Sequence, residues 1–214
     1  MLLVSAHPLA DSFVAAVRTA AVSGLRAGGH EVDLLDLDRE GFEPRLSLQE
    51  WESHRPGIAA KPEDVRAQAA RLQRAEALVL VYPTWWGAQP AIMKGWLDRV
   101  WVEGVAYTRP EGGARVRPLL QNIRHLVAVT THGSPKRINA IEGEPGKRVA
   151  LRQMRALCHP RVRTRWMALY GVDQSDAPER EAFLARVEQA MEHVERVTGA
   201  RGRLRRGVGR LGRR

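Results

Sequence analysis

The sequence predicts an α/β fold, a parallel sheet covered by helices on both faces, and three observations predict it. Short apolar runs rich in leucine and valine alternate along the chain with longer stretches of helical spacing. One run, Ala77-Leu78-Val79-Leu80-Val81, has the length and character of a strand buried on both faces, as in a doubly covered sheet. The segments between strands are long enough for right-handed βαβ crossovers. A single domain of this kind suits 214 residues, and no internal repeat is visible.

Leu2–Ala6 reads as strand 1, and about Ser12–Ala27 as helix 1, which Gly28-Gly29 ends. His30–Leu37, with Val32, Leu34, Leu35 and Leu37, is strand 2. Residues 38–61 form an irregular excursion containing Phe42-Glu43-Pro44, Trp51 and Pro56-Gly57. Within it Ser47-Leu48-Gln49-Glu50 fits a capping box and starts a short helix through Trp51. A loop this long in a compact domain is functional or disordered. A helix over Pro62–Ala75 leads into strand 3, Ala77–Tyr82. From Gln89 to Glu103, spacings of four set Ile92, Trp96 and Val100 beside Met93, Leu97 and Trp101. These six residues make one wide apolar face, so its tryptophans read as core or subunit interface. Gly104–Asn122, with Tyr107, Gly112-Gly113 and Pro118, reads as an exposed, mobile loop. Strand 4 is His125–Thr131, followed by a helix near Gly146–Leu157, strand 5 near Arg165–Leu169 and a last helix near Pro178–Val197. Five strands so connected fit a flavodoxin-like three-layer sandwich of order 2-1-3-4-5. Such sheets bind ligands beyond the carboxyl ends of their strands, near the switch between strands 1 and 3.

With 44% hydrophobic and 27% charged residues, the composition is that of a soluble globular chain. Cys158 is the only cysteine, which excludes an internal disulfide and a cysteine-built metal cluster within one chain and suits the cytoplasm. Met1–His7 reads as the start of a strand and not as a signal peptide. No apolar run approaches the roughly 20 residues a membrane span needs. The net charge of +10 looks like a nucleic-acid footprint until it is located. Residues 201–214 hold seven arginines and no acidic residue, leaving +3 on residues 1–200. The chain therefore divides into a domain, 1–200, and a basic tail, 201–214, too glycine-rich to offset its ordering entropy. The tail has two readings, a disordered solvated segment or an electrostatic contact with an acidic partner or membrane surface, and no specific nucleic-acid binding is expected.

Three turns follow predicted strands at their carboxyl ends: His7–Phe13, Pro83–Gly87 and Thr130–Ser134. In the 2-1-3-4-5 order these strands are neighbours, so the turns converge. The first offers a histidine donor and then a hydroxyl where helix 1 begins; free N–H groups and the positive dipole end there suit a phosphate. Ser12 also has a plain reading as the helix cap, and His7 as a cap on the strand end. The second offers two adjacent indoles, Trp85 and Trp86, bracketed by Pro83, Gly87 and Pro90, a stiff turn able to hold a flat heterocycle. Neither G-x-G-x-x-G nor the Walker pattern is present.

Together these residues resemble the NAD(P)H:quinone oxidoreductase family, the DT-diaphorase-like branch of flavodoxin-fold enzymes. The strongest element is Pro-x-x-Trp-x-x-x-Pro-Ala-Ile-x-Lys-Gly-Trp-x-x-Arg-Val, here Pro83 through Val100. Supporting it are His7 with Ser12-Phe13, Phe42-x-Pro44, Ala106-Tyr107-Thr108 and Thr130-Thr131-x-Gly133-Ser134. The resemblance covers roughly residues 2–135. It implies a homodimer carrying FAD, with FMN as the alternative, that takes hydride from NADPH or NADH and passes it to a quinone-like acceptor. It further implies that His7, Ser12, Phe13 and Val14 lie at the flavin pyrophosphate. Pro83, Thr84, Trp85, Trp86 and Gly87 would line the isoalloxazine, and Thr130, Thr131, His132 and Gly133 would reach its pyrimidine side. Trp86, His132 and Tyr107 are the implied catalytic residues, Tyr107 near the acceptor pocket or lent to the other subunit.

The chain also departs from that pattern. The tyrosine and histidine relay that follows the T-T-G-G turn in vertebrate-type enzymes has no counterpart in Ser134–Glu144, and His132 replaces the first glycine of the turn. Lys136 or Arg137 could face a reduced flavin there or stand as solvated loop charges. The carboxy-terminal extension of those enzymes has no room here. A rival reading keeps the fold but makes the chain a flavin- or nucleotide-binding regulatory subunit of a partner such as a transporter. Another keeps the enzyme and changes the acceptor to an azo dye, a nitroaromatic or free flavin.

Overall fold

The computed structural model of this chain describes residues 1–52, 61–110 and 115–195. The readings placed on Pro56-Gly57, Gly112-Gly113 and the tail 201–214 lie outside the described residues. Five parallel strands make the sheet: β1 (Leu2–Ser5), β2 (Asp33–Asp36), β3 (Ala77–Pro83), β6 (His125–His132) and β7 (Arg163–Tyr170), in the order β2-β1-β3-β6-β7. That is the order 2-1-3-4-5 expected from the sequence. The numbers skip because residues 104–122 contribute a separate antiparallel pair, β4 (Tyr107–Thr108) with β5 (Arg117–Pro118).

Every residue of β1 and β3 is buried, as their apolar runs require. Leu2, Val4, Leu78, Leu80, Leu126 and Ala128 enter one core, while Leu3, Val79, Val81, Val127 and Val129 enter the other. The second core is closed by α1 (Phe13–Ala27) and α8 (Ala177–Glu192), through Val14, Val17, Ala21, Phe183, Val187 and Met191. Gly24 allows this approach, since a Cβ there would lie 2.1 Å from the Glu188 carbonyl oxygen. The first core is closed by α3 (Glu63–Arg74), by α4 (Ala91–Val100), and by α6 (Pro145–Arg148) running through a π-helical segment (Val149–Met154) into α7 (Arg155–Leu157).

The wide apolar face of α4 is core as expected. Trp96 is fully buried, and Trp101 is half-buried with its ring 6.5 Å from Trp96. The capping box also forms: Ser47 Oγ accepts from the Glu50 N–H at 3.1 Å, and Glu50 Oε2 accepts from the Ser47 N–H at 3.2 Å, opening α2 (Leu48–Glu52). Two expectations need correction. Gly104–Asn122 is not an exposed loop throughout, because Val105, Ala106 and Leu120 are buried in the first core. These residues follow neither helical nor strand spacing, so periodicity could not reveal them. The second correction is a short helix, α5 (Lys136–Ile141), where no helix was expected. Its start is marked only by Pro135.

The excursion after β2 is tied to α4 by charge. Arg99 Nε donates to Glu50 Oε1 at 2.9 Å, another guanidinium nitrogen donates to the Glu43 carbonyl, and the cation lies 5.0 Å over the Phe42 ring. Lys61 Nζ donates to the Glu50 carbonyl at 2.7 Å. One turn earlier, Gly95 leaves room for Pro44, whose carbonyl oxygen would lie 2.3 Å from a Cβ there. The Gly95 and Arg99 positions of the helix thus grip the Phe42-x-Pro44 loop. Burial pushes the Glu50 carboxyl up, but its hydrogen bonds to Arg99 and Ser47 and the Arg99 charge outweigh burial and hold it below the ordinary value.

Arg99→Ala removes the cation that donates to the buried Glu50 carboxylate and to the Glu43 carbonyl, so urea unfolding at neutral pH should show a loss of about 3 kcal/mol. A loss under about 1 kcal/mol would mean the pair does not hold the excursion. Because the folded value of Glu50 is depressed, the wild-type contribution is full above the ordinary value of 4.5 and disappears as pH falls through the lower folded value. The variant should show a weaker acid limb, since only the Ser47 bonds then hold the carboxyl down.

Candidate functional site

Parallel register brings the three turns to one rim. Ser5 pairs with Val81, and Val81 with Val129, so the strands end level. Thr84 N then donates to the Thr131 carbonyl at 2.8 Å, tying the second turn to the third. Two adjoining clefts, of about 410 and 600 Å³, open along this rim and share Thr84, Gly133 and Asp173.

The first cleft lies at the start of α1, between His7, Phe13, Val14, Pro83, Thr84, Trp85 and Arg180. Ser12 caps the helix, its Oγ accepting from the Ala15 N–H at 3.2 Å. The Phe13 and Val14 N–H groups make no hydrogen bond among the described residues, and the first turn has no acidic residue to offset the positive dipole end. His7 Nδ1 accepts from the Leu9 N–H at 3.1 Å, which leaves Nε2 as the donor. Arg180, at the start of α8, lies 5.9 Å over the Phe13 ring and is steadied by Ser175 Oγ at 2.9 Å and the Val172 carbonyl at 3.1 Å. A backbone and side-chain cradle for an anion results.

The second cleft is bounded by Trp86, Gly87, His132, Gly133, Ser134 and Asn139. Trp85 and Ala88 exchange backbone hydrogen bonds of 3.1 Å each, closing a tight hairpin over Trp86 and Gly87, which have φ of +50° and +71°. Both central residues are left-handed, the pattern of a type I′ turn; glycine adopts it freely and tryptophan under strain. The turn is clamped from α6, where Gly146 N donates to the Gly87 carbonyl at 3.2 Å and Gln89 Nε2 donates to the Gly146 carbonyl at 3.1 Å. Within this turn Trp86 is fully exposed and Trp85 is 48% exposed, so the indoles do not fill a core. The N–H groups of Trp86, Gly87, Gly133 and Ser134 make no hydrogen bond among the described residues. The cleft therefore offers aromatic surface and unpaired donors together.

Thr130, Thr131 and His132 are buried. Thr84 Oγ1 lies 2.8 Å from Thr130 Oγ1 and 3.2 Å from His132 Nε2, and His132 Nδ1 lies 2.6 Å from Asn139 Oδ1. The imidazole stacks on Tyr170 with centroids 4.6 Å apart, and Trp166 meets it edge-on. Burial lowers the His132 value, although the Asn139 bond and the Glu144 and Glu142 charges work against that, so the ring is neutral at neutral pH. Burial and the Glu144 carboxylate, which accepts from the Tyr170 hydroxyl, push Tyr170 up to about 12. Tyr107, in the β4–β5 pair, is half-buried under Arg109 and borders neither cleft.

Arg180, Asp173, Tyr170 and Asn139 escaped the sequence reading. Val172, Asp173 and Arg180 follow strand β7 at the same carboxyl rim, so the rule that gathered the other turns could have included them. Asn139 carries no local signal, since only the fold sets it against His132. Because the Trp86 side chain touches solvent alone, Trp86→Ala should change thermal or urea stability by no more than about 0.5 kcal/mol. A loss above about 2 kcal/mol would show that the indole is packed.

A family model described as flavodoxin-like fold matches residues 1–194. An uncharacterized NAD(P)H oxidoreductase of Haemophilus influenzae is 37% identical over 112 residues, 52% of this chain and 54% of its own length. NAD(P)H dehydrogenase [quinone] 1 of Rattus norvegicus is 32% identical over 148 residues, 62% of this chain and 53% of its own length. The chain thus spans little more than half the length of these curated relatives. Among solved structures, an NAD(P)H:quinone oxidoreductase from Methanothermobacter marburgensis superposes with a TM-score of 0.78 at 30% identity, covering 91% of this chain and 98% of that one. An FMN-dependent NADH-azoreductase of Bacillus anthracis shares the fold at a TM-score of 0.69 and 17% identity, covering 89% and 96% of the two chains. With its sheet order, its motif from Pro83 to Val100 and these relatives, the chain belongs to the flavodoxin-like fold family, among its quinone-reductase-like members.

Proposed function

We propose that this chain is a flavin-dependent NAD(P)H oxidoreductase that passes hydride from NADPH or NADH to a quinone-like acceptor. The observation that carries this reading is the continuity of the rim, an anion cradle at one end and an indole-walled slot with unpaired N–H groups at the other. A flavin phosphate matches His7, the Phe13 and Val14 N–H groups and Arg180. The isoalloxazine matches the slot between Trp86 and Gly133. A bound flavin supplies two-electron hydride chemistry there, and the protein supplies stacking, orientation and charge. The Trp86, Gly87, Gly133 and Ser134 N–H groups favour negative charge developing on a ring held beside them. One slot serves the nicotinamide and the acceptor in turn, and Trp85 and Trp86 shield it from water.

FAD is the flavin expected from the resemblance, but FMN is the better supported, by the FMN-dependent azoreductase of the same fold, which also brings an azo acceptor into view. A homodimer in which Tyr107 serves the partner's slot suits its place outside both clefts of its own chain. No helix among the described residues is long and apolar enough to cross a membrane. The lone cysteine, Cys158, is buried and can form no disulfide within the chain, which suits a cytoplasmic setting.

Purified protein should be yellow or take up added FAD or FMN, and should oxidise NADPH or NADH with menadione. A colourless protein that takes up neither flavin overturns this reading. Trp86→Ala should weaken flavin retention about tenfold through lost stacking. Unchanged retention would show that the slot is misassigned. Deleting residues 201–214 should leave turnover intact, and its loss would give the tail a part in catalysis.

A further inference from the structure

A directed chain of hydrogen bonds ends on the rim at Thr84. The Asn139 amide fixes its direction, because Nδ2 donates to the Ser134 and Pro135 carbonyls, both at 3.0 Å. Its Oδ1 is therefore the atom that meets His132 Nδ1, and an amide oxygen can only accept. In the neutral imidazole the proton must then sit on Nδ1, which leaves Nε2 as an acceptor. Thr84 has to donate to it, and since that uses the Thr84 proton the Thr84 oxygen accepts in turn from Thr130 at 2.8 Å, a closer partner for the Thr130 hydroxyl than the Thr131 carbonyl at 3.5 Å. With its proton directed inward, the half-buried Thr84 Oγ1 offers the cleft a lone pair and no donor.

We propose that Asn139 is a positioning residue which, through His132, makes Thr84 Oγ1 an acceptor for a ring N–H of the bound heterocycle. This deepens the flavin reading and rests on it. Nothing in the wider family pattern calls for the arrangement, since His132 stands where that pattern has glycine. A second proton on His132 would reverse the chain: Nε2–H would donate to Thr84, whose hydroxyl would then donate elsewhere. The titratable groups around the imidazole are Glu142 after α5, Glu144, Lys147 on α6 and Tyr170 on β7. Lys147 pairs with Glu144 at 2.9 Å, and Glu144 also accepts from Tyr170, so the Glu144 charge is already partnered, while the Glu142 charge acts on the ring directly.

Two variants separate direction from mere support. Asn139→Leu removes the acceptor and both amide donors. Asn139→Asp loses the donors to Ser134 and Pro135 but sets a carboxylate against Nδ1, which raises the His132 value and favours the imidazolium. The first readout needs no flavin: nitrogen-15 NMR of the histidines in the ligand-free full chain, with His132 assigned through His132→Gln. Wild type should show the Nδ1–H tautomer, Asn139→Leu should lose it, and Asn139→Asp should show an imidazolium that deprotonates as pH rises. The second readout is flavin affinity from about pH 8 to pH 6. Wild type should be flat, Asn139→Leu about tenfold weaker throughout, and Asn139→Asp near wild type at the alkaline end and about tenfold weaker at the acid end.

An Nε2–H tautomer in wild type overturns the proposal whatever the flavin does. A loss in both variants that ignores pH also overturns it, since that is the mark of support for the Ser134–Pro135 turn alone. Variants that bind flavin like wild type overturn it while leaving the oxidoreductase reading in place. Wild type that binds no flavin overturns that reading and this ligand assignment together, and the first titration reveals it.

Discussion

Level parallel pairing of β1, β3 and β6 is the constraint on which the site depends. These strands are apolar on both faces, so side-chain alternation sets their register weakly. The register is pinned where the polar residues begin. Ala6 N reaches the Val81 carbonyl, Thr84 N reaches the Thr131 carbonyl, and the Thr84 hydroxyl meets Thr130 and His132. A slip of one residue moves a strand by about 3.3 Å and breaks all of these contacts. The bonds that align the sheet are therefore the bonds that build the rim.

Among the described residues two non-glycine positions have left-handed backbones, Trp86 at φ +50° and Glu144 at φ +45°, each within two residues of a partner in the Gly146–Gly87 hydrogen bond. Gly146 and Gln89 hold the indole turn from one side, while Tyr170 and Lys147 hold Glu144 from the other. Strain kept in place by surrounding contacts is a usual mark of a working surface. In this chain it presents an indole to solvent at the cost of local backbone comfort. The motif continues past the turn into α4 for a different reason, since Gly95 and Arg99 there anchor the Phe42–Pro44 loop.

Much of this was legible in the sequence. Apolar runs located β1, β3 and β6 to within a residue or two, and the capping signal at Ser47 and the four-residue stripe of α4 each foretold the observed contact. The convergence of His7, Thr84 and Gly133 followed from strand order alone. What the sequence concealed has physical reasons. The buried residues of 104–122 are held by tertiary packing without a period of their own, so the segment resembled a mobile loop. The six-residue α5 is too short to carry an apolar stripe, and so neither the helix nor Asn139 within it could be read. Arg180 follows β7 at the carboxyl rim, but only the fold sets it over Phe13.

Backbone hydrogen exchange with and without saturating flavin tests the central claim most directly. The account predicts new protection at residues 13–14, 86–87 and 133–134 together, with none at residues 163–165, where β7 begins at the amino-terminal and opposite edge of the strands. Protection confined to one of those turns, or appearing at the opposite edge instead, would contradict it.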